Sequence, residues 1–224
     1  MFIDRSMTRD VVTISPDDEL LTAQTLMARY GIRHLPVVVE NDMLVGIITD
    51  RDIRSALPSM FLSEAEKADE HRRLDSMKVK YVMTRNPLTI SPAQTLQDAI
   101  LMMQKVKVGA FPVVDHEGRL KGIISMRDLT RAFANVLGLN EPGALLGVVV
   151  ENKVGQMKRI VDAITEQGVS FGSVLVVRTW EVGKRAVFPY LLTSNLSKVK
   201  NRLRELGFTL IDPMEWYLDQ VPKR

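Results

Sequence analysis

Cysteine is absent from this 224-residue chain. Disulfides, iron–sulfur ligation and thiol catalysis are therefore excluded together, and a reducing compartment fits. Aromatic residues are scarce, at 6%, which leaves the core to Ile, Leu, Val and Met. Long apolar runs are also lacking. Stretches such as Ala144–Val150, interrupted by Gly147, fall far short of the roughly 20 residues a membrane helix needs. The opening Met1–Asp10 is charged, with no apolar core of signal-peptide type, so a cytoplasmic location without a membrane partner is expected. Charge of one sign is nearly balanced by the other, 30 Lys and Arg against 27 Asp and Glu. A net +3 spread along the chain does not argue for a nucleic-acid partner.

Catalytic signatures are missing too. There is no Walker loop and no G-x-G-x-x-G. His34, His71 and His116 are scattered without paired-ligand spacing, so no metal site is expected. Asp17, Asp18 and Glu19 read as acids at a helix start, and Met102 and Met103 as core gap-fillers. No cofactor, no catalytic residue and no enzymatic activity are expected.

What is present is a repeat. Slid by 76 positions, Met7–Leu57 falls on Met83–Phe133 without a gap, and 20 of 51 aligned positions are identical by direct count. Both copies follow one pattern. Short β-prone runs, Val11–Ile14 and Leu88–Ile90, end at Ser-Pro. Ser15 and Ser91 then suit helix N-caps, with Pro16 and Pro92 in the first turn and Gln94 completing a capping box. Leu20, Ala23, Met27 and Tyr30 recur at helical spacing, as do Leu96, Ala99, Met103 and Val106. Strands are predicted at Leu35–Val39 and Leu44–Ile48, and at Phe111–Val114 and Leu120–Ile124, before short helices from Asp52 and Asp128. Each copy reads β-α-β-β-α, and about 50 residues bury too little surface to stand alone, so the copies are expected to pair.

Past the repeat the pattern changes. Strands at Leu145–Glu151, Phe171–Thr179, Lys184–Thr193 and Phe208–Ile211 alternate with helices at Gln156–Gln167 and Leu196–Leu206. This is the β-α-β-β-α-β, ferredoxin-like order. The expected division is 1–58 and 77–138 for the repeats, 59–76 for a charged connector helix, 139–143 for a linker, 144–213 for the last domain and 214–224 for a tail. The fold class is α+β.

Three motifs recur in order in both copies: Met-Thr followed by Thr-Ile-Ser-Pro, then Pro-Val-Val, then Gly-Ile-Ile-(Thr/Ser)-x-Arg-Asp. With these the copies resemble cystathionine-β-synthase (CBS) domains, and the tandem resembles a Bateman module. Residues 148–176, with Gly155 in a turn where Val154 stands in place of the more usual proline, are similar to an ACT domain. The order CBS–CBS–ACT resembles the AcuB-type acetoin-utilisation proteins.

A hydroxyl three residues before a carboxylate at a strand-to-helix junction has two uses. Thr49 with Asp52, and Ser125 with Asp128, are what a helix start needs for capping. The same groups beside exposed helix N–H donors can also take phosphate and ribose. The CBS resemblance implies that Asp52 and Asp128 hold ribose, with Thr49 and Ser125 near phosphate or ribose. It implies that Val12, Thr13, Leu88 and Thr89 contact adenine through the backbone. Arg33, His34 and Pro36 would line one cleft, and Gly109, Ala110 and Pro112 the other. Arg33 and His34 bring charge to one copy, whereas Gly109 and Ala110 bring room without charge. Arg51 and Arg127 add phosphate-binding charge. The resemblance thus implies an adenine-nucleotide sensor for AMP, ADP, ATP or S-adenosylmethionine. The ACT-like domain would bind an amino acid or other small metabolite, or dimerise the chain. A homodimer is expected. The alternative is a ligand-free dimerisation module acting on a partner enzyme.

Overall fold

The computed structural model describes residues 1–56 and 76–211. The connector helix expected over 59–76 lies outside them except for Ser76, as does the tail 214–224. The chain divides into two compact units, Met1–Thr130 and Arg131–Arg224.

In the first unit, α1 (Leu20–Tyr30) buries Leu20, Ala23 and Met27 of the stripe its spacing predicts but leaves Tyr30 at its last turn exposed, and stops at Gly31 in the left-handed region (φ 62°). Strands β1 (His34–Val39) and β2 (Met43–Thr49) form an antiparallel hairpin. Helix α2 (Asp50–Ala56) follows directly. In the second copy, β3 (Thr84–Arg85) precedes α3 (Leu96–Val106), which buries Leu96, Ala99 and Met103. The hairpin β4 (Ala110–Val114) and β5 (Leu120–Ser125) then leads into α4 (Met126–Val136).

Two expectations change. The first β-run of each copy contributes only a single parallel bridge, Ile14 to Val37 and Ile90 to Val113, rather than a strand. The Ser-Pro sites are turns and not helix caps. Ser15 N–H donates to Asp18 Oδ2 (2.8 Å) and Ser91 N–H to Gln94 Oε1 (2.8 Å), and the helices begin at Leu20 and Leu96. In α3 the cap is Thr95, in a capping box with Asp98. The reason lies in the opening segments. Leu20 N–H donates to Met77 O (2.8 Å) and Leu96 N–H to Met1 O (3.0 Å), so each helix start is fastened by the opening segment of the other copy.

That exchange runs through the unit. β3 pairs with β2, setting Thr84 opposite Ile47, and Thr8 forms the matching bridge to Ile123. Val79 belongs to the same buried cluster as Leu20, Leu35, Val37 and Ile48, with Met77, Val82 and Met83 packed against it. Gly46 and Gly122 permit the approach. A Cβ at Gly122 would lie 2.8 Å from Thr8 O and 2.6 Å from Met7 Sδ, and at Gly46 3.1 Å from Thr84 O and 2.6 Å from Met83 Sδ. A 50-residue copy closes its core with strand and side chains lent by its twin, which is how the pair solves the small-core problem.

The second unit has β6 (Ala144–Leu145), β7 (Gly147–Glu151), α5 (Gln156–Thr165), β8 (Phe171–Glu181), β9 (Lys184–Leu191), α6 (Ser197–Glu205) and β10 (Thr209–Ile211). The sheet runs β10-β7-β9 with β8 on the far side of β9, every pairing antiparallel. This is the strand order of the expected β-α-β-β-α-β arrangement. β6 and β7 keep one register along β9. They are parted at Leu146, whose N–H donates to Pro189 O (3.0 Å). Pro189 has no N–H to return, so the ladder lapses there. Leu146, Val148, Ile160, Ile164, Leu191, Val199 and Leu203 form the core between sheet and helices.

Candidate functional site

Most of the residues expected from sequence to form a site gather where each hairpin hands over to its second helix. The register sets His34 opposite Thr49 in the first copy and Ala110 opposite Ser125 in the second. Asp50 N–H donates to Arg33 O, and Met126 N–H to Gly109 O, both at 3.1 Å. Arg33, His34, Thr49, Arg51 and Asp52 are thereby brought to one end of the β1–β2 hairpin. Gly109, Ala110, Ser125, Arg127 and Asp128 occupy the matching place on β4–β5.

Both hydroxyl–carboxylate pairs cap their helices. Thr49 donates to Asp52 Oδ2 from its N–H (2.9 Å) and its hydroxyl (2.7 Å), and Asp52 N–H donates to Thr49 Oγ1 (3.2 Å). Ser125 does the same to Asp128 Oδ2 (2.9 and 2.6 Å), with Asp128 N–H returning a longer 3.4 Å bond. Capping therefore holds each carboxylate by one oxygen.

The other oxygen separates the copies. Asp128 Oδ1 accepts from the hydroxyl of Thr8 at 3.2 Å, and Asp128 is only 5% exposed. Asp52 is half-buried, and its Oδ1 accepts no hydrogen bond among the described residues. Thr84, the counterpart of Thr8, is exposed and makes no such bond. Sequence reasoning quoted the Met-Thr doublet as a motif and assigned it no task. The doublet's recurrence at the fixed offset was the available signal.

The remaining site residues are less uniform. His34 was expected to bring charge. Burial, and then the neighbouring Arg33 guanidinium, hold its pKa below the ordinary histidine value against the opposing pull of Asp52. That shift favours the neutral imidazole over the cation near pH 7. The room beside Gly109 is taken by that ring. A Cβ at Gly109 would stand 3.3 Å from His34 Cε1 and Nε2. Arg33, Arg51 and Arg127 are exposed and enter no ion pair among the described residues, so the positive charge at the junctions is arginine's. Pro36 and Pro112 are buried, and their carbonyls accept the N–H of Ile14 and Ile90 at 3.1 Å. They fasten the segments that carry Val12, Thr13, Leu88 and Thr89. Of these four, Leu88 is exposed and the others half-buried.

Within the second unit an open depression of about 800 Å³ is lined by Leu139, Asn140, Pro142, Gly143, Tyr190 and Ser194 among others. Tyr190 Oη donates to Glu141 O (2.7 Å) at its wall. Among the described residues no group of three metal-ligating side chains occurs, and no helix is long and apolar enough to cross a membrane.

The profile of the CBS domain matches residues 3–59 and 79–135, and the chain belongs to the CBS-domain family. It is 36% identical over 137 residues to a CBS domain-containing protein of Dictyostelium discoideum, covering 61% of this chain and 94% of that one. It matches the inosine-5'-monophosphate dehydrogenase of Korarchaeum cryptofilum at 36% identity, but over only 22% of that enzyme's length. Among solved structures, the CBS pair of protein MJ0100 in complex with 5'-methylthioadenosine and S-adenosyl-L-methionine is 26% identical. It has a TM-score of 0.50 and covers 60% of this chain and 96% of that one. CBSX2 in complex with AMP is 25% identical, with a TM-score of 0.50, covering 59% and 95%. An acetoin utilization protein (AcuB) from Vibrio cholerae is 29% identical, with a TM-score of 0.53, covering 63% and 98%.

Proposed function

We propose that this chain is a non-enzymatic regulator whose CBS pair, residues 1–58 and 77–138, binds an adenine nucleotide: AMP, ADP, ATP or S-adenosylmethionine. The observation that carries this reading is the paired junction. A capped carboxylate stands beside exposed arginines that enter no ion pair among the described residues, Arg33 with Arg51 in one copy and Arg127 in the other. Carboxylate oxygens accept from the two ribose hydroxyls, and guanidinium groups match phosphate. The AMP and S-adenosylmethionine complexes of similar CBS pairs support it.

Residues 144–213 are read as an ACT-like domain that takes a small metabolite such as an amino acid, or joins two chains. The homodimer is supported by β8, which among the described residues pairs only with β9 and leaves Val174, Leu175, Val176 and Val177 between 37% and 45% exposed. An apolar sheet edge of this kind is a template for a second copy about a two-fold axis. Similarity to the Vibrio cholerae AcuB protein supports a link to acetoin utilisation. The second reading, a ligand-free module acting on a partner enzyme, is favoured by the burial of Ala110 and Phe111.

Thermal unfolding of the whole chain with AMP, ADP, ATP, S-adenosylmethionine and amino acids tests these readings. A ligand at 100 times its Kd adds about 2.7 kcal/mol, a rise of several degrees in Tm. A rise with one adenine compound is the expected result. No rise with any of them favours the ligand-free module, and a rise with amino acids alone moves the regulatory site to residues 144–213.

A further inference from the structure

We infer that only the first copy offers its carboxylate to ribose, because the chain itself occupies the second: the hydroxyl of Thr8 sits on Asp128 as an internal substitute for a ribose hydroxyl. This rests on the nucleotide reading above and decides between its two candidate sites. Each junction carries the same hydroxyl–carboxylate pair, Thr49 with Asp52 and Ser125 with Asp128, so the difference between the two carboxylates comes from what reaches them. Asp128 receives donors on both oxygens, Ser125 on Oδ2 and Thr8 on Oδ1. Among the described residues Asp52 receives donors on Oδ2 alone. Burial agrees, since Asp128 is 5% exposed whereas Asp52 remains half open.

Thr8 is well placed to hold this position. Its backbone is fixed on both sides of the bridge to Ile123, with Thr8 N–H donating to Ile123 O and Ile123 N–H to Thr8 O, both at 2.9 Å. The hydroxyl is therefore delivered by a clamped segment and does not need to be ordered on arrival. An incoming ribose would have to displace it and recover the same hydrogen bond, for little net gain. At Asp52 no displacement is required. The first copy also carries Arg33 beside its junction, where the second has Gly109 with the His34 ring against it. Charge and access thus favour the same copy.

Isothermal titration of the full chain with AMP, and with S-adenosylmethionine as a second probe, reads the stoichiometry directly. One equivalent per chain is expected. Asp52→Asn, which keeps an oxygen for the Thr49 cap, should weaken binding by at least about tenfold, the loss of a hydrogen bond to a charged acceptor. Thr8→Ala, which keeps the backbone bridge, should raise the count from one equivalent towards two, and adding Asp128→Asn to it should return the count to one. Two equivalents in the unaltered chain, or an Asp52→Asn chain that binds as before, would overturn the assignment while leaving the nucleotide reading intact. A Thr8→Ala chain that still binds one equivalent would overturn the role of Thr8. Absence of binding by the unaltered chain to either probe would instead remove the nucleotide reading, and the assignment with it. Melting temperatures of the variants separate loss of binding from loss of fold.

Discussion

The two CBS repeats share 20 of 51 aligned positions, and their hairpins and second helices begin at equivalent residues, yet they differ in how far each is filled. Position 35 is Leu and its counterpart at 111 is Phe, both fully buried. Position 31 is Gly and its counterpart at 107 is Lys, both left-handed. Position 34 is a half-buried His and its counterpart at 110 a buried Ala. Among the described residues the carboxylate at 52 takes donors on one oxygen, and the one at 128 on both. Duplication preserved the backbone, and side chains then divided the labour: the second copy is packed and closed, the first polar and open.

The largest effect should come from removing that packing. Phe111→Ala is expected to cost about 3–5 kcal/mol, and Leu35→Ala about 2–5 kcal/mol with the smaller loss of the two, measured by urea unfolding. Equal costs, or a greater cost at Leu35, would break the contrast between a filled copy and an open one.

The glycines under the exchanged segments come next. Gly122→Ala should cost about 1–3 kcal/mol by overpacking, because its nearest backbone neighbour, Thr8 O, would be only 2.8 Å from the new Cβ. Gly46→Ala should cost less, with Thr84 O at 3.1 Å. The methionine sulfurs, equally near in both copies at 2.6 Å, belong to flexible side chains that can move. Equal costs at the two sites would mean that the methionines set the limit, and not the backbone.

Helical stripes were legible in the sequence because Leu20, Ala23 and Met27 repeat at a period that no strand satisfies. The hairpins and the β-α-β-β-α-β order were legible because short β-prone runs alternate with turns and helical stripes. The exchange of opening segments was not. Pattern reasoning assigns each run to its nearest neighbours, and nothing in Met7-Thr8 or Met83-Thr84 states that its partner lies a repeat away. The helix starts were misplaced in consequence, since the N–H of Leu20 and Leu96 are taken by carbonyls that only the exchange brings near. At the candidate site, Thr49, Asp52, Ser125 and Asp128 were legible from spacing. The task of Thr8 and the lowered pKa of His34 were not, because both follow from burial and from contacts between copies.

A smaller effect of opposite sign is expected at the helix ends. Gly31 closes α1 at φ 62°, and Lys107 closes α3 at φ 56°. The left-handed region suits glycine and penalises a residue with a Cβ. Lys107→Gly should therefore stabilise the chain, by up to about 1 kcal/mol once the greater freedom of glycine in the unfolded chain is set against the relieved strain. Gly31→Lys should destabilise it. Stabilisation by neither substitution at 107 nor loss at 31 would show that the two helix ends are held by their surroundings and not by local conformation.

The smallest effect is a pH dependence at His34. His34 has its pKa held below the ordinary 6.5 by burial first and by Arg33 second, with Asp52 pulling the other way. In the unfolded chain the imidazole takes up a proton near its ordinary value, while in the folded chain it resists until lower pH. Between those two values the unfolded state binds more protons, so stability rises with pH across that window. The contribution is complete above about pH 7 and is lost as pH falls below 6.5 towards the folded-state pKa. Ala110, the counterpart of His34, has no proton to exchange. Unfolding free energies measured from pH 7.5 to 5.5 should decline in the unaltered chain and decline less in His34→Ala. An unchanged slope in the variant would show that the His34 ring, though packed against Gly109, is hydrated enough to titrate as it does in the unfolded chain.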